Sequence, residues 1–225
     1  MPSEGIQERN NGKMAWMQIP KDSTLQDVHA STLCPSLLKG SLQGWMDWQR
    51  RTATRVEQAL RAARLAPEFV AALYALGTQF VSPDLEKPVS LEEALNRKGE
   101  LFNTDWKLEV PCDKSSRNSA FEKVSRTPAD SPIVFAACSA DFDGKKVGSM
   151  GLAVTGVQRG GASVLDSQSL VGSELTSEAV SDFLEKVQFS DNLLDSFQGS
   201  SEYRLEMIKV VLDRVLTACI GGEES

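Results

Sequence analysis

From Leu42 to about Leu65 the apolar residues Trp45, Trp48, Val56, Ala59, Leu60 and Ala63 recur at spacings that one side of a helix can collect, and Arg50, Arg51, Arg55 and Arg61 fill polar positions. The pattern predicts a helix there. Pro67 suits the first turn of a second helix, "PEFVAALYALGTQF", because the N–H it lacks is unpaired at that position in any case. A helical hairpin is the simplest arrangement of the two. Ser90 and Glu93 have the spacing of a capping box, so a short helix starts after Val89. "WKLEVP" alternates as a strand does, and Pro111 ends it.

Downstream the period changes from helical to strand-like. Ile133 to Phe142 is apolar and small, Asp143-Gly144 is a turn signal, and Val147 to Val157 forms a second run. Gly160-Gly161 permits another turn before Ala162 to Leu165. These runs predict an antiparallel meander. Thr176 to Val187 and Ser201 to Cys219 read as helices, the second with Leu205, Ile208, Leu212, Val215 and Leu216 on one face. Gly221-Gly222 ends it. The expected fold class is α+β: a helical N-terminal region, then a C-terminal domain whose antiparallel sheet of three or more strands packs on helices. Residues 1–40 show no sustained period and are expected to form a partly ordered arm, with the helical region over 41–99 and the C-terminal domain over 100–221.

Composition narrows the function classes. The 225 residues suffice for one substantial core or two small ones without staples, and 41% hydrophobic with 24% charged residues is ordinary for a globular protein. A net charge of −7 gives no general attraction to phosphate backbones or anionic lipid, which disfavours nucleic acid and membranes as partners. No apolar run approaches the roughly 18 residues of a spanning helix, and no signal-like segment opens the chain, so a cytoplasmic location is expected. The four cysteines, Cys34, Cys112, Cys138 and Cys219, are too scattered for a zinc or iron–sulfur ligand set and are expected to be buried or incidental thiols.

Candidate chemistry is sparse. His29 is the single histidine and lies in the unpatterned arm, which disfavours His-based metal sites and most nucleophile–base systems. Glu92-Glu93 and Asp141/Asp143 are accounted for by a helix start and a turn. Trp45 and Trp48 fit either a stacking platform or, more simply, two anchors for their helix. "GKKVGSMG" carries three glycines, but at a spacing and in a strand context that suit a hairpin rather than a phosphate loop. No catalytic residue and no metal ligand is expected.

"SAFEKVSRTPADSPIVFAACSADFDGKKVGSMGLAVTGV" resembles the start of the C-terminal domain in the FAD-binding (medium) subunit of molybdenum hydroxylases, the carbon monoxide and xanthine dehydrogenase family. There a loop A-[FY]-x-K-x-x-R-R-x-x-D precedes a strand of small apolar residues, a turn and a second strand. "LVGSELTSEA" is similar to the family's L-x-G-x-x-L-[TS]-x-E-A, "GSSEYR" to its G-S-x-x-Y-R, and "LFNTDWKLEVP" to the connecting strand that ends in I-x-[IV]-P. The resemblance spans about Glu100 to Ala218.

Upstream, "KPVSLEEALNRKGEL" is similar to the S-[VL]-x-E-A-L helix of the family's FAD domain, which makes 41–99 a remnant of such a domain. The two Gly-rich loops that hold the pyrophosphate in the family, A-G-G-[TS] and T-[IL]-G-G-N, do not occur in the sequence. What the resemblance implies is a contact between the domain's start and the flavin ring, with Phe121 and Lys123 facing the ring and Arg126 and Asp130 holding the loop. Thr127 replaces the family's second arginine. The alternative for these four residues is loop bracing by an Arg126–Asp130 ion pair with Phe121 packed into the domain.

The function expected is that of a docking or assembly component related to the flavoprotein subunit, not an enzyme on its own. It would bind no cofactor alone, or FAD together with a partner. Molybdenum-hydroxylase or iron–sulfur subunits are its expected partners. Alternatives are an electron-transfer subunit holding FAD jointly with a partner chain, and a regulatory or ligand-binding protein on the same fold.

Overall fold

The computed structural model describes residues 5–10, 14–46, 53–62, 65–112, 116–127, 130–159, 161–189 and 193–220, the side chains of 44–46 and 98–99 excepted. The chain forms two compact units, 1–113 and 114–225.

The first unit is built on a five-stranded antiparallel sheet, which the helical pattern of this region did not announce. Its strands are β1 (Gln7–Asn10), β2 (Ala15–Pro20), β3 (Gln79–Val81), β4 (Val89–Ser90) and β5 (Lys107–Pro111), in the order β1-β2-β5-β3-β4. "WKLEVP" is therefore the central strand of this sheet and belongs to the first unit rather than to a domain starting at 100. Met17 and Ile19 of β2, Phe80 of β3 and Leu108 and Val110 of β5 point to the core and are buried. Residues 5–40, expected as an arm, thus supply two strands, the helix α1 (Leu25–Ala30) and the start of α2 (Ser36–Met46). A six-residue strand shows too few alternations to be read locally, and β2 takes its register from β5, some ninety positions on. Thr24 caps α1 in a reciprocal box with Asp27.

The helix predicted over 42–65 is interrupted. Residues 53–55 are not helical and α3 (Val56–Arg61) starts anew after them, because Thr54 and Arg55 lie in an antiparallel bridge: Leu25 N–H donates to Thr54 C=O, and Val56 N–H to Ser23 C=O, both at 2.9 Å. Trp48 and the side chain of Trp45 lie outside the described residues. α4 (Pro67–Ala75) has proline at its first position as expected, but it stops before Phe80. Gly77, at φ +70°, closes it in a Schellman turn, with Thr78 N–H donating to Leu73 C=O and Gly77 N–H to Tyr74 C=O. Ser90 caps α5 (Leu91–Asn96) by accepting from Glu93 N–H, and the short α6 (Lys98–Leu101) follows. Phe80, Phe102 and Trp106 pack with ring centroids 5.0–5.2 Å apart.

The second unit contains the predicted meander, β7 (Val134–Asp143), β8 (Lys146–Thr155) and β9 (Ala162–Val164), with a further strand, β6 (Arg117–Val124), ahead of it; all four pair antiparallel in sequence order. Gly144, at φ +60°, makes the β7–β8 turn. α7 (Ser177–Lys186), capped by Thr176, and the 20-residue α8 (Ser201–Ile220) complete the α+β layer. Val134, Ala136 and Cys138 of β7 and Leu152 and Val154 of β8 meet Ile208, Val211, Leu212, Val215 and Leu216 of α8 in one core. Among the described residues no helix is long and apolar enough to cross a membrane.

Candidate functional site

The first part of the loop implied by the resemblance, Ala120 to Val124, lies in strand β6, paired with β7 from Arg117–Asp141 through Val124–Val134. Its alternation decides what each side chain can reach. Asn118, Ala120 and Val124 point to the helices: Asn118 Nδ2 donates to the Cys219 carbonyl at 2.9 Å, while Ala120 and Val124 pack against the core. Arg117, Ser119, Phe121 and Lys123 therefore stand on the opposite face.

On that face Phe121 is 37% exposed, and its ring stacks on the buried Phe135 ring at 5.8 Å and 24°. Lys123 is the cross-strand neighbour of Phe135, and its N–H donates to Glu122 Oε2 at 3.1 Å. At the other end of the strand Arg117 grips Asp141 through two bonds, Nη2–Oδ2 at 2.7 Å and Nε–Oδ1 at 3.2 Å, and Ser149 Oγ donates to the same carboxylate at 3.3 Å.

Arg126 and Asp130 follow β6 and do not brace each other. Arg126 Nη2 donates to the Phe197 carbonyl at 3.0 Å, and its guanidinium lies 5.5 Å from the centroid of the Phe197 ring. Asp130 is exposed, and its N–H donates to the Thr127 carbonyl at 3.1 Å. The ion pair given as the alternative for these residues does not form, because the turn carrying Phe197 offers Arg126 both a carbonyl and a ring face. Phe197 is 86% exposed at the tip of a two-residue turn closed by Ser196 and Gly199, whose N–H groups donate to each other's carbonyls. Its neighbourhood has no local signature in the sequence, since Arg126 is seventy-one positions away.

The base of the turn is fixed by Arg204 in the first turn of α8, only 1% exposed. Arg204 Nη2 donates to Ser196 Oγ at 2.7 Å and Nε to the Gly199 carbonyl at 3.2 Å, while Nη1 reaches the carbonyls of Ile133 and Gly156. Burial lowers the pKa of this guanidinium from its ordinary value, and Asp195 acts in the opposite sense. Arginine remains charged throughout the accessible pH range.

The described residues contain no group of three or more potential metal ligands. What the β6 face offers is an aromatic surface with a lysine beside it, suited to packing against the ring of a cofactor such as FAD. The family's two Gly-rich loops do not occur in the sequence of the first unit. Its six glycines are isolated from one another, and a Cβ at Gly5 or Gly77 would meet nothing within 4 Å, so neither marks a close backbone approach. The β6 face suits a ring, and neither Gly5 nor Gly77 offers the backbone approach that phosphates need.

Residues 119–219 match the family described as the CO dehydrogenase flavoprotein C-terminal domain. No curated protein matches the chain in a sequence search. Among solved structures, a chain of carbon monoxide dehydrogenase from Hydrogenophaga pseudoflava, in a form that lacks the Mo-pyranopterin moiety of the molybdenum cofactor, superimposes with a TM-score of 0.75 at 18% identity, over 97% of this chain and 78% of that one. Reconstituted CO dehydrogenase from Oligotropha carboxidovorans gives 0.72 at 18% identity, and quinoline 2-oxidoreductase from Pseudomonas putida 86 gives 0.68 at 16%, each over 96% of this chain and 78% of theirs. The structural likeness takes in both units and shows the fold they share with those chains. By this match the second unit is a CO dehydrogenase flavoprotein C-terminal domain over residues 119–219.

Proposed function

We propose that the chain is a docking or assembly component of a cytoplasmic molybdenum-hydroxylase-type complex, non-catalytic on its own, with molybdenum or iron–sulfur subunits as its partners. The observation that carries this reading is the contrast between the two units. The second retains the family domain with Phe121 and Lys123 on the sheet face turned away from the helices. The first has no pair of adjacent glycines with which to approach a pyrophosphate.

A second reading, an electron-transfer subunit that shares FAD with a partner chain, is favoured by the half-exposed Phe121 stacked on Phe135. In that case Phe121 and Lys123 would contact the ring, while Arg126 and Asp130 would shape the loop beside it. The flavin supplies the redox chemistry when bound, and this chain's residues only orient it and cover one of its faces.

Titration of the purified chain with FAD, followed by flavin fluorescence, tests whether the chain holds the flavin by itself. No saturable change is the expected result. Saturable binding at micromolar FAD or below, weakened by Phe121→Ala, would overturn the docking reading in favour of the second.

A further inference from the structure

Two cysteines play no part in the site above. Cys138 lies in the middle of β7 on the face that α8 covers, and Cys219 is in the last turn of α8; their exposures are 0% and 1%. Strand β6 fixes how they meet. Ala120 is the cross-strand partner of Cys138, and Asn118, two residues earlier on the same face, holds the Cys219 carbonyl at 2.9 Å. Both belong to the buried cluster of this unit, and the neighbouring Cys219 thiol, together with burial, holds the Cys138 thiol well above its ordinary pKa. Cys34 and Cys112, in the first unit, are half-buried, and their thiols point to the carbonyls of Pro35 and Leu33.

We propose that Cys138 and Cys219 form a redox modification site, a thiol pair that closes to a disulfide between β7 and α8 when the protein meets a peroxide. Access comes from the end of α8, because fraying of a last helical turn exposes Cys219 without unfolding the sheet. Hydrogen peroxide oxidises Cys219 first: an S–O bond forms, the O–O bond breaks, and one water leaves, giving a sulfenic acid. The Cys138 sulfur then attacks the Cys219 sulfur. The S–S bond forms, the S–O bond breaks, and the second water carries away the Cys138 proton. Two thiols lose two electrons to one peroxide, which becomes two waters.

The full chain, treated with hydrogen peroxide while folded and then alkylated in denaturant, tests this by unreduced tryptic mapping. Residues 127–145 and 215–225 are the tryptic fragments that carry the two cysteines. The expected result is one species joining these fragments, abolished by reduction, with unfolding of the oxidised protein shifted to higher denaturant concentration. Cys219→Ser should leave Cys138 fully alkylated after the same treatment. Recovery of both fragments alkylated would overturn the proposal. So would Cys219 oxidised to a sulfinic or sulfonic acid beside a free Cys138, or linkage scrambled among all four cysteines.

Discussion

Arg204 spends its donors on three carbonyls and one hydroxyl, and so ties the start of α8 to the start of β7, the end of β8 and the 196–199 turn. Gly156 supplies one of those carbonyls at φ +82°, and a Cβ there would lie 2.0 Å from the Ile133 oxygen, so no other residue fits. A lysine cannot reproduce a planar fork with several fixed donors. Arg204→Lys is therefore expected to cost about 2–4 kcal/mol, through buried carbonyls left without a donor. Urea unfolding checks this, and a midpoint within error of the parent would show that the network contributes little. The motif G-S-x-x-Y-R marked this position in the sequence. Its acceptors at Ile133 and Gly156 could not be read there, because only the folded sheet brings them to α8.

Elements with enough length to display their own period were legible: α7, α8, β7 and β8 all stand near where the pattern put them. Short strands were not. β2 and β3 are held by pairing to β5, and β6 runs into the stretch that the family resemblance implied as a loop, although eight cross-strand pairs make it a strand. α4 was extended too far because the apolar run continues through Gly77 into β3, and the positive φ of that glycine, rather than any change in hydrophobicity, ends the helix.

α4 also makes a pH prediction. Burial, then the nearby charge of Glu92 on α5, pushes the Tyr74 phenol up to about 12 from the ordinary 10.0. The folded state thus holds this proton more tightly than the unfolded chain does. Its stabilising contribution is complete below about pH 10 and is lost as pH rises from there toward 12. Alkaline titration by phenolate absorbance should show a step near pH 12, or one coinciding with unfolding, that Tyr74→Phe removes. A step for Tyr74 at its ordinary pKa would contradict the burial argument.

At the scale of the molecule, each unit has its own sheet and its own buried apolar residues. Residues 114–225 expressed alone are expected to fold, with amides of β7, β8 and α8 protected from hydrogen exchange as they are in the full chain. Loss of that protection would mean that the second core depends on the first unit. The candidate site was partly legible at this scale. The family pattern pointed to Phe121 and Lys123, which share one face of β6, whereas Phe197 and its partnership with Arg126 depend on a turn formed more than seventy residues later.

The order of elements in the second unit bears on how the protein is made. α8 covers the apolar face of β6 and β7, yet β8, β9 and α7 all lie between them in the chain. At ordinary synthesis rates the end of β7 precedes the start of its covering helix by roughly 3–12 seconds. During that interval Val134, Ala136 and Cys138 have no α8 to shelter them on the ribosome. Nascent chains halted before Ser201 would then be the form most in need of a chaperone, and release of α8 the event that ends that need.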